Sequence, residues 1–79
     1  MILKIKHDEI ETETEFPLEM REPTVASYIR DVILFQEWES CSGDVKYEDG
    51  DGFGEPRQWS AEDESGAVTV KIGNNVYRF

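Results

Sequence analysis

The segment Glu9-Ile10-Glu11-Thr12-Glu13-Thr14-Glu15-Phe16 places a glutamate at every odd position and an apolar or β-branched residue at every even one. The spacing resumes at Glu19, with Leu18 and Met20 on the even positions beyond Pro17. Successive side chains of a β-strand point to opposite faces. This segment is therefore a strand with a row of carboxylates on one face and a core-facing row on the other. The chain opens as a sheet, and one of its surfaces carries strong negative charge.

Working outward, Ile2 to His7 also alternates, with Leu3 and Ile5 on one face and Lys4 and Lys6 on the other. A two-residue turn at Asp8-Glu9 sets Lys6 opposite Glu11 and Lys4 opposite Glu13, with Leu3 facing Thr14 and Ile5 facing Thr12. That register separates charge from core at every pair. Asp-Glu is a poor dipeptide for a primed turn, so a longer loop is the alternative. Glu22-Pro23-Thr24 predicts a helix start, with Thr24 as N-cap. Val25, Tyr28, Ile29, Val32, Ile33 and Gln36 follow helical spacing, and Leu34 and Phe35 widen the apolar face. The helix is expected to fade near Trp38 to Ser40 and to end at Ser42-Gly43. Asp44 to Glu48, Arg57 to Ala61 and Ala67 to Ile72 are strand candidates, and a Gly73-Asn74 turn pairs Val70 with Tyr77 and Val68 with Phe79. The expected architecture is α+β: one helix on a mostly antiparallel sheet of four to five strands, in the order β-β-α-β-β-β.

The chain has 79 residues, eighteen acids and eight Lys or Arg, for a formal charge of −10. That length is a single domain, residues 1–79, with a small core. A hydrophobic fraction of 38% with two Trp, three Tyr and four Phe argues against disorder despite the charge. A surface of this sign repels nucleic acid and anionic membrane and attracts basic protein surfaces. Cys41 is the single cysteine, which excludes an intrachain disulfide and fits a reducing compartment. The N-terminal residues lack the apolar stretch of a signal peptide, and the aliphatic run Val32 to Phe35 is too short to span a bilayer. The expectation is a cytoplasmic, soluble monomer.

The glutamate row is either a solvated face with ion pairs to Lys4 and Lys6 or an ordered array of charge. Same-face strand residues lie ~6.6–6.8 Å apart, whereas a DNA strand carries a charge every ~3.4 Å. The row alone reaches about half that density, so neighbouring acids must complete any mimicry. Two clusters are available: Glu48, Asp49, Asp51 and Glu55, and Glu62, Asp63 and Glu64. Glu37 and Glu39 in the last helical turn oppose the helix dipole, unless the helix stops before Glu37. The candidate partner-binding set is Glu11, Glu13, Glu15, Asp49, Asp51, Glu62, Asp63 and Glu64.

Other chemistries find little support. Asp49-Gly50-Asp51-Gly52 resembles part of an EF-hand loop, but that register puts Tyr47 first and Gln58 twelfth, where carboxylates are needed. His7 and Cys41 are the single residues of their types, and their spacing does not predict a nucleophilic pair. The chain lacks a phosphate-cradling loop and zinc-ligand spacing. The reading is non-enzymatic, with no metal and no cofactor. Trp38, Trp59, Phe53 and Tyr47 are candidate interface anchors; Trp38 and Trp59 are core in the simpler reading, and Phe53 is the residue expected to be exposed.

In size, acidity and one-helix-plus-sheet organisation, with the Glu9 to Glu15 row and two acidic loops, the chain resembles the small acidic phage-encoded anti-CRISPR proteins, in particular inhibitors of type I-C interference complexes. That resemblance implies a DNA mimic blocking the basic nucleic-acid-binding surface of a CRISPR-type complex inside a bacterial cell. It implies no direct contact with nucleic acid or membrane. The opening hairpin and helix also resemble a ubiquitin-like β-grasp, which implies an adaptor or assembly module binding protein through its sheet and aromatic residues. The chain ends Val76-Tyr77-Arg78-Phe79 without Gly-Gly, against a conjugated carrier.

Overall fold

A computed structural model describes residues 1–17, 21–46 and 57–79. Their order is β1 (Ile2–His7), β2 (Ile10–Glu15), α1 (Glu22–Gln36), β3 (Ser40–Lys46), β4 (Arg57–Glu64), β5 (Ala67–Ile72) and β6 (Asn75–Arg78). The strands form one six-stranded sheet in the order β2-β1-β3-β4-β5-β6, with every neighbouring pair antiparallel. The α+β expectation holds, with one strand more than the expected four to five. β1 lies between β2 and β3, which run parallel to one another, so β2-α1-β3 is a split crossover. A β-grasp places a parallel strand beside its first strand; here the free side of β1 takes the antiparallel β3.

The opening hairpin has the register set by charge and core. Lys4 faces Glu13, Lys6 faces Glu11, Leu3 faces Thr14 and Ile5 faces Thr12, closed by the two-residue turn Asp8-Glu9 with Asp8 at φ 54°. At the other end of the sheet, Val70 pairs with Tyr77 around Gly73-Asn74, and the Phe79 N–H donates to the Val68 carbonyl at 2.9 Å. Both hairpins follow from cross-strand sorting of charged and apolar residues.

The helix differs from expectation at both ends. Its N-cap is Arg21, without a side-chain cap; the N–H groups of Thr24 and Val25 both donate to the Arg21 carbonyl, at 3.0 and 3.1 Å. Thr24 is therefore inside the first turn, beside Pro23, whose missing N–H is harmless there. The C-terminus comes early, at Gln36. Glu37 adopts the left-handed conformation (φ 57°) and donates to Leu34, while Trp38 donates to Ile33, a Schellman closure. The chain can then enter β3 at Ser40, and Cys41 sits in a strand instead of ending the helix.

Val25, Ala26, Ile29 and Ile33 face the sheet and are buried with Leu3, Ile5, Val45, Trp59, Ala61, Val68, Val70 and Ile72. Leu34 and Phe35 do not widen this stripe: they are 42% and 85% exposed. The helix packs chiefly over β4 and β5. Its N-terminus is fixed by Glu22, whose carboxylate accepts from Tyr77 Oη (2.7 Å), Asn75 Nδ2 (2.6 Å) and Arg57 Nη1 (3.0 Å). A carboxylate in the first turn also suits the positive end of the helix dipole.

Gly43 occupies the centre of the sheet, between Ile5 of β1 and Trp59 of β4. The Trp59 indole is 3% exposed and donates Nε1–H to the Lys4 carbonyl at 3.1 Å. Its reach spans β3, and the absence of a side chain at Gly43 leaves the space it crosses.

Candidate functional site

The helix covers one face of the sheet, and the register orders the side chains of the other. One row runs Glu11, Lys6, Ser42, Ser60, Lys71, Val76, and the next Glu13, Lys4, Asp44, Gln58. Ile2 adjoins Glu15 with Lys46 one strand further on, and Thr69 adjoins Glu62 with Arg78 one strand further on. Lys4, Lys6, Lys46 and Lys71 thus stand among Glu11, Glu13, Glu15 and Asp44, and this part of the open face is close to neutral, whereas Glu62 and Glu64 lie at its end with no cation directly opposite in the register. Lys4 Nζ lies 3.4 Å from Glu13 Oε1, both largely exposed; such a pair contributes ~0–1 kcal/mol. The glutamate row is therefore not an unshielded line of charge.

It has a different physical role. With His7 paired to Ile10 across a two-residue turn, the inward hydrogen bonds of β2 belong to Ile10, Thr12 and Thr14. The backbone groups of Glu11, Glu13 and Glu15 then point away from the sheet along an open edge. Charged residues on such an edge oppose pairing with another chain.

Of the candidate set, Glu11, Glu13 and Glu15 lie together on β2. Glu62, Asp63 and Glu64 lie on β4, three inter-strand spacings away, or ~14 Å. Asp49 and Asp51 lie outside the described residues, as do Glu19, Tyr47, Glu48, Phe53 and Glu55. All eight Lys and Arg are described, whereas five of the eighteen acids are not. The described body therefore keeps only half of the excess negative charge, and its arrangement matters more than its total.

That charge collects at one end of the sheet, where three connections meet. The β1–β2 turn supplies Asp8 and Glu9, the α1–β3 connection supplies Glu37 and Glu39, and the end of β4 supplies Glu62, Asp63 and Glu64. Glu62 and Glu64 are strand residues, not loop residues as the sequence suggests; the turn is confined to Ser65-Gly66, both at positive φ. The connections are tied together. The Asp63 N–H donates to the Glu39 carbonyl at 2.9 Å, and the Asp63 carboxylate accepts from the Gly66 N–H at 2.9 Å. The His7 and Trp38 rings stack at 4.1 Å and 4°, joining the β1–β2 turn to the helix exit.

From the β1–β2 turn to β4 this end is three strand spacings wide, ~14 Å, with Glu62 and Glu64 on the open face and Asp63 on the face that carries the helix. The negative end of the helix dipole adds to the same field. Lys6 and Arg78 are the nearest cations in the register. Glu37 is costly for the fold: a non-glycine residue at positive φ and an anion at a helix C-terminus are both unfavourable. The alternative holds: the helix stops before Glu37, which is its C-cap, and Glu39 lies beyond it, so neither is in the last helical turn.

Cysteine chemistry is not favoured here. Cys41 is 6% exposed and burial pushes its thiol up to about 11, so it stays protonated at neutral pH. His7 faces Asp8 Oδ2 through Nδ1 at 3.6 Å. Among the described residues no group of three or more His, Cys, Asp or Glu is arranged to hold a metal ion. No described helix is long and apolar enough to cross a membrane.

The aromatic candidates divide. Trp59 is core, Trp38 is committed to the stack on His7, and among the described residues Phe35 and Phe79 are exposed, Phe79 under the Arg30 guanidinium at 4.7 Å. Sequence reasoning missed Phe35, Ile10, Asp8 and Glu39 as surface features of one end. The available signal for Phe35 was its place off the Val25, Ile29, Ile33 stripe. Set against known proteins, the chain matches no family model, no curated protein and no solved structure.

Proposed function

We propose that the chain is a non-enzymatic polyanionic decoy that docks, by the acidic end of its sheet, on the basic nucleic-acid-binding surface of another protein or complex. The supporting observation is the convergence of Asp8, Glu9, Glu37, Glu39, Glu62, Asp63 and Glu64 from three connections onto one end that also carries the helix C-terminus. Carboxylates take the place of phosphates against Lys and Arg, speed association and exclude DNA. In this reading Glu62, Asp63 and Glu64 contact the partner. Glu13, paired with Lys4, contributes less, and Glu15 lies at the opposite end of β2 from the acidic turn.

The resemblance to acidic anti-CRISPR proteins makes a purified type I-C interference complex the first target. Labelled duplex bound to that complex is expected to be released as the chain is added, and the release to weaken steeply between low and physiological salt. Glu62→Lys with Glu64→Lys is expected to abolish competition, while Glu13→Lys with Glu15→Lys spares most of it. Equal loss in both double variants would refute docking by this end, and DNA binding unmoved by the chain would refute this target.

A further inference from the structure

Phe35 is 85% exposed and Ile10 55% exposed, and both lie at the acidic end. Phe35 occupies the last helical turn, and Ile10 opens β2 opposite His7. The His7–Trp38 stack joins the end of β1, next to the turn before Ile10, to the connection that follows the helix turn of Phe35. Asp8 and Glu9 immediately precede Ile10, and Glu37 and Glu39 immediately follow the helix turn of Phe35. Each of these exposed apolar residues thus has carboxylates next to it in the chain.

We infer that Phe35 and Ile10 are the apolar anchors of a docking surface whose partner is a basic protein surface holding an apolar pocket between its Lys and Arg residues. The inference rests on the acidic end being the docking end and adds what pure charge does not supply, a means of selecting one basic surface among many. Charge complementarity fixes the kind of occupant. In a symmetric pair of copies the same patch faces itself, which would set Asp8, Glu9, Glu37 and Glu39 against their own equivalents. Bare nucleic acid is repelled by the same residues. A basic surface with a pocket satisfies both the acids and the exposed ring, and a desolvated aromatic at the centre of a polar rim is the usual form of a binding hot spot.

The test uses two synthetic peptides of equal positive charge, an amphipathic Lys/Leu helix and a Lys/Ser counterpart, titrated against the intact chain by fluorescence anisotropy. The chain is expected to bind the Lys/Leu peptide about tenfold to a hundredfold more tightly, the scale set by burying one aromatic ring. Phe35→Ser and Ile10→Thr remove that preference and leave Lys/Ser binding unchanged, with urea midpoints confirming the fold. Val76→Thr, which trims an apolar residue 48% exposed on the far edge strand, leaves the preference intact. No preference in the wild type, or a preference that survives Phe35→Ser, overturns the inference. So does a concentration-dependent dimer that Phe35→Ser dissolves, since the occupant would then be a second copy. Failure of the decoy reading looks different: the peptide preference persists while DNA competition is absent.

Discussion

Replacing Gly43 with alanine is the sharpest test of the packing. A Cβ built at Gly43 would lie 1.8 Å from the Lys4 carbonyl oxygen, 2.8 Å from its carbon and 3.1 Å from Trp59 Nε1. An ordinary C···O contact is no closer than ~3.3 Å, so the carbonyl would have to retreat by roughly 1.5 Å. Lys4 cannot do so freely, because β1 is paired on both sides, to Glu13 and to Asp44. Overpacking a tight core costs ~1–3 kcal/mol. Displacing the indole leaves a buried N–H without its acceptor, a further ~1–3 kcal/mol. The gain from a stiffer unfolded chain is smaller, ~0.4–1 kcal/mol. The expected net loss is about 2–5 kcal/mol, against a total stability of ~4–12 kcal/mol for this length.

Urea unfolding followed by tryptophan fluorescence measures this directly, since Trp59 reports from the site. Trp59→Phe supplies the second arm. If Gly43→Ala already expels the indole from Lys4, the two changes combine to less than their sum. A Gly43→Ala loss below about 1 kcal/mol, or strict additivity with Trp59→Phe, would refute the account of β3 as the strand the indole crosses.

Three further outcomes follow from the same structure. The Tyr77 phenol is held above its ordinary value of 10.0 by its hydrogen bond to Glu22, then by burial and the Glu22 charge. The fold binds that proton more tightly than the unfolded chain does, so the contribution is whole below pH 10 and is lost as pH rises through the folded value. Tyr77→Phe is expected to flatten this alkaline decline in melting temperature; an unchanged slope would exclude the linkage. Cys41 is expected to react with a thiol reagent at pH 8 roughly a hundredfold more slowly in the fold than in urea, because little thiolate is present; rapid native labelling would contradict its burial. Glu11→Val with Glu13→Val exposes an apolar open edge on β2 and is expected to produce concentration-dependent association by sedimentation; a monomer at all concentrations would show that the glutamates are not what guards the edge.

The elements legible in the sequence are those where one local rule acts without competition. Lys4 and Lys6 against Glu11 and Glu13, with Leu3 and Ile5 on the other face, fix the opening hairpin to the residue, and Val68, Val70 and Ile72 fix β5. The Val25, Ile29, Ile33 stripe marks the buried side of α1. The expected strand Asp44 to Glu48 meets β3 only at Asp44 to Lys46; its first half was hidden because Ser40-Cys41-Ser42-Gly43 has turn composition and poor strand propensity. Gly43 is there for the crossing indole of β4, a long-range cause that no local window contains. Only the weak alternation of Cys41, Gly43 and Val45 with polar neighbours carried the signal. The helix end was missed for a related reason: Glu37 takes the left-handed position that glycine usually marks. The site was half legible. Acidic residues were visible as separate clusters, but which of them meet depends on β3 entering between β1 and β4, and that step was the hidden one.

The acidic end gives salt opposite effects on stability and on docking. Carboxylates from three connections repel one another within the fold, and Glu37 also faces the negative end of the helix dipole. Screening relieves that repulsion, because the Debye length shrinks from ~30 Å at 0.01 M to ~8 Å at 0.15 M, below the ~14 Å width over which these charges are spread. The melting temperature is therefore expected to rise as sodium chloride is added, while the affinity for a basic partner falls over the same range. Glu62→Gln with Glu64→Gln should shrink both responses together, since one set of charges causes both; Glu13→Gln, beside Lys4, should change neither by much. If the fold were indifferent to salt, the three connections would not be close enough to act as one charged surface. The case for docking by this end would fail with it, whatever partner is tried.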